Sequence, residues 1–538
     1  MMGTYTASSL LCLLALLLLC SLSAPPSASA APIRVPNLRQ CELATDTSVN
    51  VTGTTTTLTF NCCLPITPTV NTFSFSKCTT RRRVRPAAHT VSADYIAKYT
   101  RAYELMKALP ESDPRSFAAQ AKIHCAFCNG AYRQAGNSSV ELQVHFSWLF
   151  LPWHRWYLYW HERILQSLLG DPTFSLVFWN WDDQRDGGNV MPAMFARNGT
   201  ALYDANRNPA NFPPTIVKLR PGTTGNNSAI INQNLNDMYQ GVVTADTAEL
   251  FMGGPYRTGT DLSNATVINA PLGGTLENGV HNGIHFWTGN PALPLIQDMG
   301  TFTTAARDPI FYAHHSNVDR LWDKWKYGLP GGRRFDHTDP DFLNAEFYFY
   351  DETGTLVKVN VRDSLDNAKL GISYPTPDAD ALWVGYSPAP VSNGSAVAAA
   401  RAAGVPVVGA APQNGTISLG SRFAAIVKTP TGSRGNKTEV LMIQGLRVIR
   451  DKFVSIIAFV NLPFANASTV TSSAEYVGTF NVIQSPTKFR MLIANIKFEI
   501  GDNLNRLGLL NETEVVITLA VSGSEPVTIE GLLIDYEY

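Results

Sequence analysis

The sequence predicts a mainly α-helical domain, a helical bundle with long loops, followed by an all-β, sandwich-like C-terminal domain. Three observations indicate this order. Apolar residues recur at helical spacing from residue 92 to about 350, a stretch rich in Ala, Pro, Gly and Val follows, and β-rich runs separated by turns come last. The length of 538 residues agrees with more than one domain, because a single domain usually contains about 100–200 residues.

The first 30 residues have the pattern of a targeting segment. An apolar run at residues 10–22 precedes the small residues Ala28, Ser29 and Ala30. A short apolar run that ends at such a site is typical of a secretory signal peptide rather than of a membrane span. Residues 1–10 contain no Lys or Arg, so the amino terminus alone provides the usual positive charge. We predict a signal peptide at residues 1–30, a protein that is extracellular or vacuolar, and no membrane segment after its removal.

Composition gives no sign of a nucleic-acid partner, because the net charge is −1 at pH 7 and the one basic cluster, residues 81–83, is short enough to be a solvated loop. Acceptors for N-linked glycans support export. The pattern Asn-x-Ser/Thr occurs at Asn50, Asn137, Asn198, Asn226, Asn264, Asn393, Asn414, Asn436, Asn466 and Asn511. We therefore predict a glycoprotein that passes through the secretory pathway.

Cysteines predict disulfide bonds in an oxidising compartment. Removal of residues 1–30 leaves Cys41, Cys62, Cys63, Cys78, Cys125 and Cys128. Adjacent cysteines point their side chains in different directions, so Cys62 and Cys63 can join two separate segments at one place. We interpret residues 31 to about 90, which are rich in Thr, Pro and Cys, as an irregular arm stapled to the helical domain. That domain is predicted to span residues 31–374.

Helices are predicted at residues 93–108, 148–169, 276–287 and 309–325, with Gly/Asn/Pro-rich loops such as 197–227 and 253–274 between them. Residues 375–413 are predicted to be a linker. The C-terminal β-domain is placed at residues 414–538, with strands at 417–427, 439–443, 453–460, 476–483, 490–499 and 514–521.

The spacing of the histidines gives the clearest indication of function in the sequence. His281 and His285 are spaced i, i+4 in ENGVHNGIHFW, which places both imidazoles on one helix face, and Glu277 lies one turn earlier on the same stripe. His314 and His315 are adjacent in RDPIFYAHHSNVDRLW. Neighbouring residues diverge by about 100° on a helix, so only one of the two can face a site shared with His281 and His285.

Two further histidines stand in unusual surroundings. His154 begins a predicted helix in FLPWHRWYLYWHERIL, where an aromatic stripe usually forms a core but a buried imidazole nitrogen needs a partner. His124 stands beside a Cys-x-x-Cys in IHCAFCNGAY. Zinc would need a second ligand pair, and a redox motif would need a thioredoxin-like strand and helix. The third interpretation, a metal-ligating histidine beside structural cysteines, is the one we favour. Imidazole-rich, carboxylate-poor ligation favours copper, zinc or iron over magnesium or calcium, and two clusters of three histidines without an acidic ligand fit copper best.

Three segments, FLPWHRWYLYWHERIL, HNGIHFWTG and RDPIFYAHHSNVDRLW, resemble the copper-binding regions of plant polyphenol oxidases, the catechol oxidases and tyrosinases. HCAFCNGAY, DFLNAEFYFYDETGTLVKVNVRD and LGISY resemble further motifs of that family. The resemblance is strong over residues 40–375 and weak over residues 415–538. It implies a type-3 site with two copper ions.

The resemblance assigns a role to each matching residue. It implies ligands to the first copper at His124, His145 and His154, and ligands to the second at His281, His285 and His315, with His315 rather than His314. It implies a thioether between Cys128 and His145, and disulfides between Cys41 and Cys63 and between Cys62 and Cys125. It leaves Cys78 open to a different pairing or to a free thiol.

Other positions are implied to act around the metals. Phe302 matches a gate residue above the copper pair, while Glu277 and Asn282 match residues that hold a water and help to deprotonate a monophenol. Asp319, one turn beyond His315, is a candidate to orient that ligand, with a helix salt bridge to Arg320 or Lys324 as the alternative. No role follows for His89, His161 or His337.

The implied chemistry is oxidation of o-diphenols to o-quinones with dioxygen as co-substrate, with o-hydroxylation of monophenols as a further activity. Small phenols are then the expected partners. A haemocyanin-like protein that binds dioxygen without turnover is the alternative, and a structural glycoprotein with an incidental metal is a third interpretation. The C-terminal domain is expected to shield the site. Plant members commonly carry plastid transit peptides, whereas residues 1–30 here predict secretion.

Overall fold

The structure is a computed structural model that describes residues 31–49, 55–75, 82–185, 187–266, 270–392, 395–408, 416–432, 434–450, 452–484, 491–523 and 526–537. The predicted signal peptide, Cys78, Arg81 and the glycan acceptors Asn50, Asn393 and Asn414 lie outside the described residues. Among the described residues, no helix is long and apolar enough to cross a membrane.

Helices dominate the first part of the chain and strands the last part, which confirms the predicted fold class. The α-helices are α1 Ala93–Ala108, α2 Phe117–Cys128, α3 Phe150–Leu169, α4 Ala193–Ala196, α5 Asn227–Met238, α6 Ala248–Met252, α7 Asn282–Thr288, α8 Ile310–Tyr327, α9 Pro340–Leu343, α10 Asp380–Val384, α11 Ala396–Ala402 and α12 Gly501–Arg506. There are π-helical turns at Tyr239–Val243 and Glu277–His281, and 3-10 turns at Pro209–Asn211, Pro294–Ile296, Ala305–Arg307 and Val361–Ser364.

The strands are β1 Ala44–Val49, β2 Thr55–Phe60, β3 Val70–Thr72, β4 Arg83–Val84, β5 Arg133–Gln134, β6 Asn137–Glu141, β7 Glu346–Tyr350, β8 Leu356–Asn360, β9 Ile372–Ser373, β10 Val407–Val408, β11 Ile417–Ser418, β12 Arg422–Lys428, β13 Thr438–Ile449, β14 Val454–Val460, β15 Tyr476–Val482, β16 Met491–Glu499, β17 Glu514–Gly523, β18 Thr528–Ile529 and β19 Gly531–Glu537.

Helix α3 lies at the centre of the helical domain and packs against α1 and α8. It is buried on nearly every side over its first three turns, which explains why the aromatic residues from Phe150 to Trp160 occur on all sides of that part of the helix. It ends at Gly170, whose φ of 66° is a left-handed conformation that glycine adopts without a steric cost. Helix α1 has the predicted bounds, because Ser92 caps it by accepting a hydrogen bond from the Tyr95 amide.

The N-terminal arm contains more regular structure than its composition predicted. Strands β1 and β2 form an antiparallel hairpin, and the Thr-rich run of β2 supplies the β-branched residues that favour a strand. Disulfides join Cys41 to Cys63 and Cys62 to Cys125, the pairings that the family resemblance implied. The second bond attaches the arm directly to helix α2.

The C-terminal domain is a sandwich of two sheets. One has the strand order β10-β12-β17-β14-β15, and the other has the order β11-β18-β13-β16 with β19 paired to β13. Strands β14 and β15 are buried along their whole length. For β15 the cause is that this strand also packs on the helical domain, against the Glu277–His281 turn and α7.

The segment predicted as a linker is folded over part of its length. It contains α10, α11 and β10. Trp383 of α10 is fully buried and donates a hydrogen bond to the Asp182 carboxylate at 3.1 Å, which ties α10 to the helical domain. Ala400 of α11 packs on Ile426 and Val516 of the β-sandwich instead. The change from one domain to the other therefore falls between α10 and α11.

The interface between the two domains lies close to His281. Asn282 Nδ2 donates to the Asn481 carbonyl at 2.6 Å, and Asn481 Nδ2 donates to the Gly279 carbonyl at 3.1 Å. The rings of Phe286 and Phe453 stack with centroids 3.8 Å apart. The β-sandwich thus lies directly against the helical turn that carries His281.

Candidate metal centre

The first histidine group consists of His124 on α2, His145 in the loop before α3, and His154 in the first turns of α3. Their ligating atoms lie within 4.8 Å of one another, and all three side chains are buried. The α2 helix, the loop and the α3 helix come from separate stretches of sequence, so the cluster exists only because these elements pack together.

Each ring of the first group is oriented by a hydrogen bond at Nδ1. His124 Nδ1 lies 2.9 Å from the Phe302 carbonyl, His154 Nδ1 lies 2.8 Å from the Phe150 carbonyl, and His145 Nδ1 lies 3.3 Å from Gln143 Oε1. Oxygen acceptors of this kind place the hydrogen on Nδ1, which leaves the Nε2 lone pair to a metal. None of the three Nε2 atoms has a hydrogen-bond partner among the described residues.

Burial also makes the imidazoles neutral. It lowers the pKa of His124 to about 3 and the pKa of His285 to about 4, and it lowers the pKa of the other four predicted ligands well below the usual value. A neutral imidazole is the form that binds a metal, so the same burial that removes water prepares the rings as ligands.

The second group contains His281, His285 and His315. His285 Nε2 lies 3.1 Å from His281 Nε2 and 3.3 Å from His315 Nε2, so three nitrogens face one point. His281 Nδ1 lies 3.2 Å from the Glu277 carbonyl and His285 Nδ1 lies 2.7 Å from the Met299 carbonyl. Two rings of the second group, His281 and His285, are therefore oriented as in the first group, by a backbone carbonyl at Nδ1.

The helix that carries His281 and His285 differs from the predicted one. Residues Glu277–His281 form a π-helical turn, and α7 begins only at Asn282. Close packing explains why a glycine follows Asn282, since a Cβ at Gly283 would lie 1.9 Å from the Leu219 carbonyl oxygen. The wider turn leaves both imidazoles on the same side.

His314 also lies within the second group, but its ring is oriented differently. Trp181 Nε1 donates a hydrogen bond to His314 Nδ1 at 3.1 Å. The corresponding Nδ1 of His315 has no partner among the described residues, while its Nε2 points at His285. This geometry agrees with the choice of His315 as the ligand.

The two groups face each other. The rings of His154 and His315, one from each group, stack with centroids 4.2 Å apart and planes at 7°. The His145 and His281 rings have centroids 6.3 Å apart. The groups of metal-ligating atoms found among the described residues consist of imidazoles alone. Two adjacent all-imidazole triads with available Nε2 atoms fit a pair of copper ions, because imidazole suits copper and no hard carboxylate ligand is present in them.

Phe302 packs against the first triad. Its ring stacks on His145 with centroids 4.0 Å apart and planes at 22°, and it is fully buried. Its backbone carbonyl accepts from His124, while its backbone N–H donates to the Gln484 carbonyl of the β-domain at 3.2 Å. Its role as a gate stays a prediction.

Glu277 and Asn282 are both buried, but the structure engages them in other bonds. Glu277 Oε1 accepts from the Phe146 amide at 2.7 Å, which stabilises the left-handed φ of 59° at that phenylalanine. Burial raises the pKa of the Glu277 carboxyl well above its usual value. Asn282 bonds Asn481 of the β-domain. Their role with a water stays a prediction.

Cys128 is buried at the end of α2, and Gln143 links it to His145. The Gln143 amide Nε2 donates to the Cys128 carbonyl at 2.8 Å, while its Oε1 accepts from the His145 amide at 3.0 Å. This bridge holds the two residues beside each other. The thioether between them stays a prediction.

The suggested roles of Asp319 are corrected by the structure. Its carboxylate contacts neither a histidine nor Arg320 or Lys324. Oδ1 accepts from Arg155 Nε at 2.5 Å, and Oδ2 accepts from Arg85 at 3.2 Å and from the Tyr374 hydroxyl. The cause is the position of Asp319 around the axis of α8, where its side chain faces α3 and the N-terminal arm rather than the triad.

The remaining histidines lie outside both triads. His161 stacks on Tyr312 with centroids 3.6 Å apart, and its Nε2 lies 3.1 Å from the Tyr103 hydroxyl. His337 Nε2 lies 2.9 Å from the Gly253 carbonyl, and His89 lies 3.8 Å from Asp183.

Comparison with known families agrees with this site. The chain matches the family models of the common central domain of tyrosinase over residues 114–327, of the polyphenol oxidase middle domain over residues 336–389, and of the chloroplastic polyphenol oxidase C-terminal domain over residues 416–536. Together with the paired triads, they define a tyrosinase-type copper protein.

Similarity to individual proteins shows which family of tyrosinase-type copper proteins contains this chain. A chloroplastic polyphenol oxidase of Vitis vinifera is 40% identical over 529 residues, 95% of this chain and 83% of that protein. The aureusidin synthase of Antirrhinum majus is 39% identical over 92% of this chain and 86% of its own length. The structure of latent apple tyrosinase has a TM-score of 0.78 at 38% identity, covering 87% of this chain and 100% of that one. The chain belongs to the plant polyphenol oxidase family, whose members are enzymes.

The structure adds functional contacts that the sequence did not reveal. Gln143, the Met299 carbonyl and Trp181 each fix a histidine ring, yet none of them belongs to a histidine motif. The Phe150 and Glu277 carbonyls are exceptions, because each lies four residues before the histidine that it orients and could have been found from the spacing alone.

Replacing His281 with Ala should remove the second copper, because only two ligands would remain in that triad. Elemental analysis of the purified protein should show about one copper per chain instead of two. His161→Phe is the matched control, since it changes a buried histidine outside the triads and should leave the copper content unchanged. Full copper content in folded His281→Ala would contradict the ligand assignment.

Proposed function

We propose that this protein oxidises o-diphenols to o-quinones with dioxygen through two copper ions held by the two histidine triads. The observation that carries the proposal is the contact of the triads through the His154 and His315 rings, 4.2 Å apart. When bound, two adjacent copper ions can pass electrons from catechols to dioxygen. In balance, two catechols give four electrons and four protons to one dioxygen, which yields two o-quinones and two waters.

Aromatic residues of this chain would bind and orient the phenol. Phe311 lies against His124 and His315 with centroids 4.9 and 4.2 Å away, and Phe150 lies 4.6 Å from His281. These rings hold the imidazoles in place and exclude water from their surroundings. Flat apolar surfaces of this kind suit a phenolic ring, and Phe302 would limit its approach.

The C-terminal domain is proposed to act as a cover that keeps the enzyme latent. Gln484, which follows β15, accepts hydrogen bonds at its carbonyl from the Thr301 hydroxyl at 3.0 Å and from the Phe302 amide. Arg450 of the same domain is buried beside Glu141, with a shortest distance of 3.3 Å. The similar apple tyrosinase and an aurone synthase, which has a TM-score of 0.82 at 33% identity, are both described as latent forms.

Cleavage between α10 and α11, combined with mild detergent, should switch on oxidation of 4-tert-butylcatechol. The cut lies at the change of domain, so the cover can leave with α11 and β10. Quinone formation and dioxygen uptake should rise at least about tenfold over the intact protein, and cleaved His281→Ala should stay inactive. Reversible dioxygen binding without quinone formation would favour the haemocyanin-like alternative.

Hydroxylation of monophenols is proposed as a second activity of the uncovered site. Glu277 would accept the phenolic proton through a water, because its buried Oε2 has no hydrogen-bond partner among the described residues. Asn282 would hold that water. In the covered structure its Nδ2 is bound to the Asn481 carbonyl, so removal of the β-domain would release it.

Cleaved protein should hydroxylate tyramine and tyrosol, and Asn282→Ala should lower that rate at least about tenfold relative to catechol oxidation, because proton transfer typically contributes about 10²–10⁴-fold. Asn236→Ala is the matched control. That asparagine also bonds the β-domain, at the Thr471 and Ser473 carbonyls, but outside the triads. Catechol oxidation without any turnover of either monophenol would contradict the tyrosinase activity.

Passage through the secretory pathway is proposed from residues 1–30 and the glycan acceptors. Asn198, Asn226, Asn264, Asn436, Asn466 and Asn511 are exposed in the structure. Several similar relatives, among them those of Vitis vinifera and Malus domestica, are named chloroplastic. Glycans therefore offer the clearest distinction, because they are added in the endoplasmic reticulum and not in plastids.

The protein produced in plant cells should lose mass on treatment with an enzyme that removes N-linked glycans. Simultaneous Asn→Gln changes at the exposed acceptors should abolish most of that shift. Protein expressed without residues 1–30 serves as the unglycosylated control. Import of the full chain into plastids, with no glycan on the mature protein, would contradict the proposal.

A further inference from the structure

His314 touches the second triad without the chemistry of a ligand. An indole N–H can only donate, so the bond from Trp181 Nε1 makes His314 Nδ1 an acceptor and places the hydrogen of the neutral ring on Nε2. Neither nitrogen then has a lone pair available for a metal.

The His314 ring instead supports two of the ligands. It stacks on His281 with centroids 5.1 Å apart and planes at 16°, and it meets His285 edge-on at 4.8 Å and 89°. A ring held between two others restricts their rotation. The plane of His281 is therefore set from one side by its own Nδ1 bond and from the other by His314.

Trp181 belongs to a short segment, residues 179–182, that is bound to α8 on both sides of the indole. The Trp179 amide donates to the Ala313 carbonyl at 2.9 Å. The Asp182 carboxylate accepts from Asn317 at 2.7 Å and pairs with Arg320 at 2.6 Å. The indole N–H is thus placed between two anchors on the same helix that carries His314.

We infer that Trp181 and His314 form a positioning pair that fixes the His281 ring and selects His315, not His314, as the ligand of the second copper. The two adjacent rings lie 5.0 Å apart at 68°, so they cannot exchange roles without a rotation of α8. The Trp181 bond opposes that rotation. This inference rests on the proposed dicopper site, but not on any particular reaction.

Trp181→Phe tests the pair, because it removes the indole N–H and keeps an aromatic ring. Copper-loaded, full-length protein is exposed to a chelator, and the loss of copper is followed over time. Changes to groups that orient metal-bound histidines typically cost about 10–100-fold in metal affinity. We expect one of the two ions to leave about 10–100-fold faster than in the wild type, while the other ion leaves at the wild-type rate.

Trp325→Phe is the matched control. Trp325 is a residue of α8, and its side chain is buried like that of Trp181, but its indole N–H donates to the Ala245 carbonyl at 2.6 Å, away from the histidines. Both copper ions should therefore leave this variant at the wild-type rate. A second pair of variants separates the hydrogen bond from the stacking. His314→Asn retains an acceptor near the position of Nδ1 and should loosen the copper less than His314→Phe, which retains only the ring.

Wild-type copper loss in Trp181→Phe would overturn the inference. Equal acceleration of both ions would also overturn it, since it would show a general structural role. Copper loss is measured without substrate, so selective loosening in a protein that oxidises no phenol would leave the positioning pair intact and reject the proposed function instead.

Discussion

The metal centre depends on one constraint, which is that its imidazoles must be buried and neutral, and five of the six predicted ligands are also held in the Nδ1-protonated form by an oxygen acceptor. Burial alone secures the neutral form, because it disfavours the charged ring. It does not choose the tautomer. That choice is made by oxygen acceptors, and two of them, the Met299 and Phe302 carbonyls, come from a single loop. One loop thus prepares a histidine of each triad.

The same loop is also the point where the β-domain reaches the site. Thr301 and Phe302 both bond to the Gln484 carbonyl, so the backbone that orients His124 and His285 is held from outside by the proposed cover. Removing the cover would leave those two carbonyls in place, since their histidine bonds lie within the helical domain. It would release the backbone amide of Phe302 and the side-chain amide of Asn282.

Sequence patterns predicted the parts of this site that are local. The i, i+4 pair of His281 and His285 and the divergence of adjacent histidines both follow from helical geometry. Helix α1 begins after its Ser92 cap, and α3 ends before Gly170. The assignment of every ligand needed the family resemblance, because His124, His145 and His154 come together only through packing of distant segments.

Long-range contacts explain what sequence reasoning missed. Asp319 was placed beside a histidine by its spacing on α8, but two arginines from other segments, Arg85 and Arg155, take its carboxylate. The π-helical turn at Glu277–His281 is bonded to the β-domain, because Asn481 donates to the Gly279 carbonyl, and no local pattern contains that contact. The hairpin of the arm was missed because a Thr-rich run with little alternation was interpreted as irregular.

The buried ion pairs between α3 and α8 matter more for the fixed distance between these two helices than for the free energy of unfolding. His154 belongs to α3 and His315 to α8, so a shift of either helix would separate the triads. The buried pairs of Arg155 and Arg85 with Asp319 connect these helices and the arm at fixed geometry. Buried ion pairs often add little to stability compared with apolar packing, but breaking one leaves an uncompensated charge at a cost of about 3–5 kcal/mol. An alternative packing of α3 on α8 would incur that cost, and the ionic contacts therefore restrict the helices to the one arrangement in which the two triads face each other.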